Sequence, residues 1–118
     1  MEFTVTLKKN HEFRRLYARG KAAAAPCLVL YCRRNGGNHN RIGYTVSNKV
    51  GHAVVRNRIR RRLREIYRLH EAEFARGYDI VIVARPRAAG ADYHRLEREV
   101  LKAAGRLGLR GDEGENAP

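Results

Sequence analysis

Residues 53–64 read Ala53-Val54-Val55-Arg56-Asn57-Arg58-Ile59-Arg60-Arg61-Arg62-Leu63-Arg64. Six arginines and one asparagine fall within this predicted helical stretch, yet an apolar seam survives among them. Val55, Ile59, Leu63 and Ile66 stand at i, i+4, i+8 and i+11, so they share one face and can pack on a core. Arg56, Arg60 and Arg64 form a second stripe, with Asn57, Arg61 and Arg68 a third beside it. Guanidinium groups this close repel one another, and such a surface attracts phosphate. A polyanionic partner is therefore expected to offset the repulsion. Arg62 lies near the seam by helical angle, where it would snorkel or pair within the chain.

Outward from this helix, Asn10 can cap a short helix to about Arg19, with Gly20 as its stop, and Phe13, Leu16 and Tyr17 share one of its faces. Cys27–Cys32 is rich in strand formers and Arg41–Val46 supplies a returning strand across a turn containing Asn35-Gly36, which predicts an antiparallel hairpin. The arginine helix should end between His70 and Arg76, with Gly77 as a stop. Tyr78–Ala84 is the strongest strand, its near-continuous apolar run predicting burial on both faces. Ala91 to about Leu107 reads as a last helix with Tyr93, Leu96, Val100 and Leu101 or Ala104 inward. The order α-β-β-α-β-α predicts an α+β or α/β sandwich over residues 1–110, and residues 111–118 read as a polar, disordered tail.

The 118 residues suit a single domain. The formal charge is +13, unevenly spread: residues 1–70 carry 17 Lys/Arg against 3 Asp/Glu, and residues 71–118 carry 8 against 9. Nucleic acid fits this asymmetry better than membrane, since no apolar run reaches spanning length. The N-terminal residues lack a signal-peptide layout, and Cys27 and Cys32, five apart in a predicted strand, should face opposite ways and remain reduced. A cytoplasmic location is the simplest expectation. Five histidines and two cysteines show no zinc spacing, so no protein-bound metal is expected.

Catalytic candidates are few. No Ser/His/Asp order, paired carboxylates, P-loop or HExxH is present, and no catalytic residue is assigned. Glu65, at i+4 from Arg61, is expected to pair with it. His52 could serve as an acid or base but reads more simply as solvated. Asn57 is either a solvated amide or a hydrogen-bonding group for a base, sugar, phosphate or metal-bound water. Phe13, Tyr17 and Tyr31 read first as core; the alternative is a set of platforms on which unpaired bases stack.

The run from Arg41 to Arg61, Arg-Ile-Gly-Tyr-Thr-Val-Ser-Asn-Lys-Val-Gly-His-Ala-Val-Val-Arg-Asn-Arg-Ile-Arg-Arg, resembles the signature of the bacterial ribonuclease P protein subunit. The likeness extends through Leu7–Tyr17 upstream and Asp79–Arg85 downstream, covering about residues 7–107. It departs at Asn48, where lysine is common, at His52, where asparagine is common, and at Arg62, where an apolar residue is usual.

The resemblance implies a basic subunit assembled with a large catalytic RNA in a ribonucleoprotein endoribonuclease. That holoenzyme removes the 5′ leader of precursor tRNA by Mg²⁺-dependent hydrolysis, with the metals held mainly by the RNA and no organic cofactor. Carried over, Lys49, Arg56, Arg58, Arg60, Arg61 and Arg64 would face the catalytic RNA. Phe13, Tyr17 and Tyr31 would line a leader cleft with Asn57 and Arg61 close by. The resemblance also implies a central, mostly antiparallel sheet and an unusual left-handed βαβ crossover around the arginine helix, against the general right-handed rule. The alternative is a non-catalytic RNA-binding module such as a ribosomal protein. A helix-turn-helix regulator is disfavoured by the strands flanking the arginine helix, and a stand-alone nuclease by the absent catalytic set.

Overall fold

The apolar run Tyr78–Ala84 becomes the middle strand of a five-stranded sheet, buried along most of its length as its composition predicts. In chain order the elements are β1 (Thr4–Thr6), α1 (Asn10–Arg19), β2 (Lys21–Ala24), β3 (Leu28–Arg34), β4 (Asn40–Thr45), α2 (Ala53–His70), β5 (Tyr78–Ala84) and α3 (Tyr93–Arg106). Short 3-10 turns at Asn48–Val50, Glu71–Glu73 and Pro86–Gly90 connect them. This computed structural model describes residues 3–110, so the predicted tail at 111–118 lies outside the described residues.

The sheet order is β1-β4-β5-β3-β2. The pairs β2–β3 and β3–β5 are antiparallel and contain more registered residues than the parallel pairs β1–β4 and β4–β5, making an α+β sheet with its antiparallel part in the majority. Helix α2 is the crossover between the adjacent parallel strands β4 and β5.

The expected hairpin between Cys27–Cys32 and Arg41–Val46 does not form. Strands β3 and β4 run in opposite directions, but β5 separates them. The physical reason is burial: β5 is apolar on both faces, and only a central position covers both. The hairpin that does form is β2–β3, through Ala25–Cys27, where Ala25 N–H donates to Leu28 O at 2.8 Å. Strands β1 and β2 escape the sequence reading because one has three residues and the other is Lys21-Ala22-Ala23-Ala24, with little intrinsic strand preference.

Two further local readings change. Lys9 caps α1, with Glu12 Oε1 accepting from Lys9 N–H at 3.2 Å, so Asn10 is already inside the helix. Gly20 is extended, with φ −78°, not left-handed. Crowding selects glycine there: a Cβ would lie 2.7 Å from Leu16 O and 2.9 Å from Cys32 O.

The larger core lies on the sheet face covered by α2 and α3. Ile59, Leu63 and Ile66 of the predicted seam, with Tyr67, meet Leu30, Ile42, Ile80 and Ile82 from the strands and Leu96 and Val100 from α3. Cys27 precedes β3, outside its alternation, so both thiols join this same core as free cysteines instead of facing opposite ways. Asn40, fully buried, knots the layers together. Its Nδ2 donates to Ala75 O at 2.9 Å and to Tyr67 Oη at 3.2 Å, and its Oδ1 accepts from Tyr78 N–H at 2.9 Å. Unpaired, these buried polar groups would each carry a desolvation penalty.

His70 ties the end of α2 to α3. Its Nδ1 lies 2.7 Å from Glu73 Oε2 and its Nε2 2.8 Å from Glu97 Oε2. Burial lowers its pKa, but the hydrogen bonds to Glu97 and Glu73 outweigh that, and the net shift is upward. A raised folded-state pKa gives stability that is fully present below the unfolded value of about 6.5 and is lost as pH rises through the higher folded value. The wild-type melting temperature should therefore exceed that of His70→Gln most at pH 6, and the gap should narrow above neutrality. A gap that widens with pH would contradict a cationic His70.

Candidate nucleic-acid interface

Alternation along the strands places Tyr31, Val81, Val83, Gly43 and Thr45 on the sheet face opposite the main core. Helix α1 covers part of it, anchored by Leu16 against Leu7 and Val81. Phe13 and Tyr17 flank that anchor at the edge of the covered area. The Phe13 ring sits so close to Gly43 that a Cβ there would meet its Cζ at 2.6 Å, so glycine is what seats the ring. Tyr17 meets Tyr31 edge-on, with centroids 5.1 Å apart at 71°, and its hydroxyl is 3.0 Å from Thr45 Oγ1. Tyr17 is 41% exposed. Phe13 and Tyr17 thus line one open groove with Asn10, Arg14 and Thr45, and Tyr31 is joined to it only through its edge contact with Tyr17.

At the other end of this face Arg41 is already neutralised. Its Nε and Nη2 donate to the two Asp79 oxygens at 2.8 and 2.7 Å, and Nη1 donates to Glu12. Glu12 is held below the usual carboxylate range: burial pushes up, but the Lys9 N–H and the Arg41 charge prevail. Arg41 therefore fastens α1 to the sheet and is not a free phosphate ligand.

The six arginines of residues 53–64 sort into two groups. Arg56 Nη1 donates to Gly51 O at 2.9 Å, and Arg60 Nη2 to Val46 O at 3.2 Å. Arg58 Nη2 reaches Ala89 O at 3.5 Å, and Arg62 Nη1 reaches Ala91 O at 3.2 Å, the intramolecular pairing expected for it. Part of the like-charge repulsion is thus offset by four backbone carbonyls inside the protein. Each tethered guanidinium keeps further N–H groups and its charge, now held in place. Arg61 and Arg64 are exposed, as is Lys49 on the preceding turn. Arg64 stands 5.9 Å from the Tyr44 ring centroid.

Glu65 does not pair with Arg61. It takes Arg68 instead, with contacts of 2.9 and 2.6 Å, which leaves Arg61 without an acidic partner among the described residues. An acid N-terminal to its base is the better orientation on a helix, and Arg61–Glu65 has the reverse. His52 caps α2 as an exposed residue without a side-chain cap bond.

No hydrogen bond or ring contact among the described residues joins Asn57 or Arg61 to the aromatic trio. Asn57 is linked to it through the end of β4: Tyr17 bonds Thr45, and the next carbonyl, Val46 O, holds Arg60, whose Nη1 donates to Asn57 Oδ1 at 3.1 Å. Groove and arginine helix therefore meet at Thr45–Val46. Sequence reasoning missed Gly43 and Thr45. Their common parity with Arg41 in β4 could have flagged them once the neighbour of β4 was known.

A family model described as Ribonuclease P matches residues 1–108. The chain belongs to the ribonuclease P protein family. It is 45% identical over 102 residues to the ribonuclease P protein component of Natranaerobius thermophilus, covering 86% of this chain and 89% of that one. For the component from Caldanaerobacter subterraneus subsp. tengcongensis the identity is 47% over 96 residues, covering 81% and 83%. Among solved structures, the RNase P protein of Staphylococcus aureus is similar with a TM-score of 0.83 at 30% identity, over 89% of this chain and 96% of that one. The Thermotoga maritima protein gives 0.76 at 28% identity, over 82% and 92%.

As a ribonuclease P protein the chain has no helix long and apolar enough to cross a membrane among its described residues. The side chains of the described residues do not assemble a protein-only Mg²⁺ site. Mg²⁺ requires oxygen ligands in octahedral array, and the described residues contain no cluster of three acidic, histidine or cysteine side chains placed for a metal. Glu65, the acid on the arginine helix, is bound to Arg68.

Proposed function

We propose that this chain is the protein subunit of a ribonuclease P ribonucleoprotein, an endoribonuclease that removes the 5′ leader of precursor tRNA in a Mg²⁺-dependent reaction. Catalysis resides in the RNA subunit, which holds the metal, and the protein supplies binding surfaces. The observation that carries this reading is the junction of an aromatic groove with a pre-oriented arginine helix at Thr45–Val46. A single-stranded leader offers base faces and phosphates but little shape. Phe13, Tyr17 and Tyr31 suit the faces, and the helix suits the phosphates.

Lys49, Arg61 and Arg64 make direct contacts with the catalytic RNA. Arg56, Arg58 and Arg60 reach the same RNA with the N–H groups left over from their carbonyl bonds. Asn57 and Arg61 receive the leader where it leaves the groove, Asn57 through its Nδ2 donors. Lowering phosphate repulsion in this way reduces the Mg²⁺ needed for the two RNAs to approach. The cytoplasm, where precursor tRNA is processed in bacteria, is the corresponding location.

The test is precursor-tRNA cleavage at low Mg²⁺ with protein alone, a bacterial ribonuclease P RNA alone, and both. Cleavage at the mature 5′ end should be strong only in the combination. No gain from the protein would leave a plain RNA-binding module, such as a ribosomal protein, as the better reading. In the same system Arg61→Ala should flatten the log–log salt dependence of RNA binding by about 0.9, the value of one duplex phosphate contact.

A further inference from the structure

The C-terminal part of the chain has no excess positive charge by count, and among the described residues its acids are engaged internally. Glu73 binds His70 and Arg110, Asp79 binds Arg41, and Glu97 binds His70. Asp92 caps α3 by accepting from Arg95 N–H, and Glu99 accepts from Cys27 N–H at 2.8 Å and pairs with Arg95. Most of the bases are left at the surface, Arg95 among them despite its pairing with Glu99. Arg95, Arg98, Lys102 and Arg106 stand at i, i+3, i+7 and i+11 on α3, one exposed stripe about 16 Å long.

This stripe borders the β2–β3 turn, Ala24-Ala25-Pro26, which is the shared wall of two shallow depressions. Arg85 and Arg87 line the second one. Two of these guanidiniums are tethered as on α2: Arg106 Nη1 donates to Ala24 O at 3.1 Å and Arg85 Nη1 to Ala25 O at 3.0 Å. Arg87, Arg98 and Lys102 have no acidic or hydrogen-bonded partner among the described residues. Tyr93 and Glu97 mark the side of α3 turned to α2, through the Glu97–His70 bond, and the basic stripe lies about half a helical turn away from it. It is therefore separate from the arginine face of α2.

We propose that this edge is a second RNA site, which binds the phosphate backbone of structured RNA and lets the subunit bridge two RNA segments. The proposal rests on the subunit reading above. The lining selects the ligand: neither depression is lined by an aromatic side chain, so unpaired bases find no stacking surface, and the one carboxylate, Glu99, is already paired with Arg95, so the remaining guanidinium and ammonium groups above alanine and proline match phosphate. The same small side chains give no apolar wedge for a lipid surface.

The experiment is a salt series of binding to a bacterial ribonuclease P RNA transcript. It compares wild type, Arg87→Ala/Arg98→Ala/Lys102→Ala, Arg61→Ala and the combination. The triple variant should bind more weakly, with a log–log slope shallower by about 2 to 3. Its effect should add to that of Arg61→Ala, because the surfaces are separate. An unchanged slope in a triple variant of unaltered melting temperature overturns the proposal. So does an unchanged slope accompanied by lost binding to phosphatidylserine vesicles, which would assign the edge to lipid. Wild-type protein that fails to bind the RNA refutes the subunit reading itself, an outcome distinct from a silent triple variant.

Discussion

Leu63→Ala is expected to destabilise the protein by about 3 kcal/mol, the middle of the range for truncating a buried leucine. That corresponds to a fall of about 10 °C in melting temperature for a domain of this size. Leu63 is 0% exposed and lies in the seam of α2 between Ile59 and Ile66, against the sheet. Collapse cannot readily fill the gap. The neighbouring Tyr67 ring is held by its hydroxyl, 2.7 Å from Thr4 Oγ1 and 3.2 Å from Asn40 Nδ2. Leu69, 54% exposed on the same helix, supplies the comparison: Leu69→Ala should change stability by no more than about 0.5 kcal/mol. Thermal melts of the two variants decide it, and equal losses would disprove the orientation of α2. Below its melting point Leu63→Ala should bind RNA with wild-type salt dependence, because the side chain faces away from Arg61 and Arg64.

The largest expected functional effect is that of Tyr17→Ala on leader recognition. A base stacked on an aromatic ring contributes about 1 to 3 kcal/mol, so loss of the ring should weaken precursor-tRNA binding by roughly ten- to a hundred-fold. Binding of mature tRNA, which has no leader, should not change. Tyr17 is a better probe than Phe13, whose ring packs on Gly43 and whose removal would also open the α1 contact. Tyr17→Phe separates stacking from anchoring. It keeps the ring and loses only the bond to Thr45, so it should retain most of the affinity. The decisive measurement is the affinity ratio of precursor to mature tRNA in the holoenzyme. If Tyr17→Ala weakens both substrates equally, the groove is not the leader site.

How much of this was legible varies with the type of signal. Periodicity over many residues located α1, α2, β5 and α3 and the buried seam of α2, because each register repeats the same side-chain message. Pairing across the sheet was not legible. The turn containing Asn35-Gly36 suggested a β3–β4 hairpin, and the need to bury both faces of β5 overrode it. The aromatic residues were ambiguous for a related reason. A stripe of Phe13, Leu16 and Tyr17 looks the same whether all three are covered or, as here, only Leu16 is.

The sequence by itself determined a dense arginine helix with one apolar side, the strand-forming runs that flank it, and a family signature from Arg41 to Arg61. These are properties of residue order. Tertiary structure alone decided which cations are held and which are open. The oxygens that hold Arg56, Arg58, Arg60 and Arg62 are backbone carbonyls of Gly51, Ala89, Val46 and Ala91. Every residue carries such a carbonyl, so residue type gives no sign of the few that the fold brings within reach. The same physics turned a C-terminal part with no excess charge by count into one with a basic edge. Among the described residues its carboxylates are drawn to histidine, arginine and backbone N–H groups, while Arg87, Arg98 and Lys102 remain at the surface.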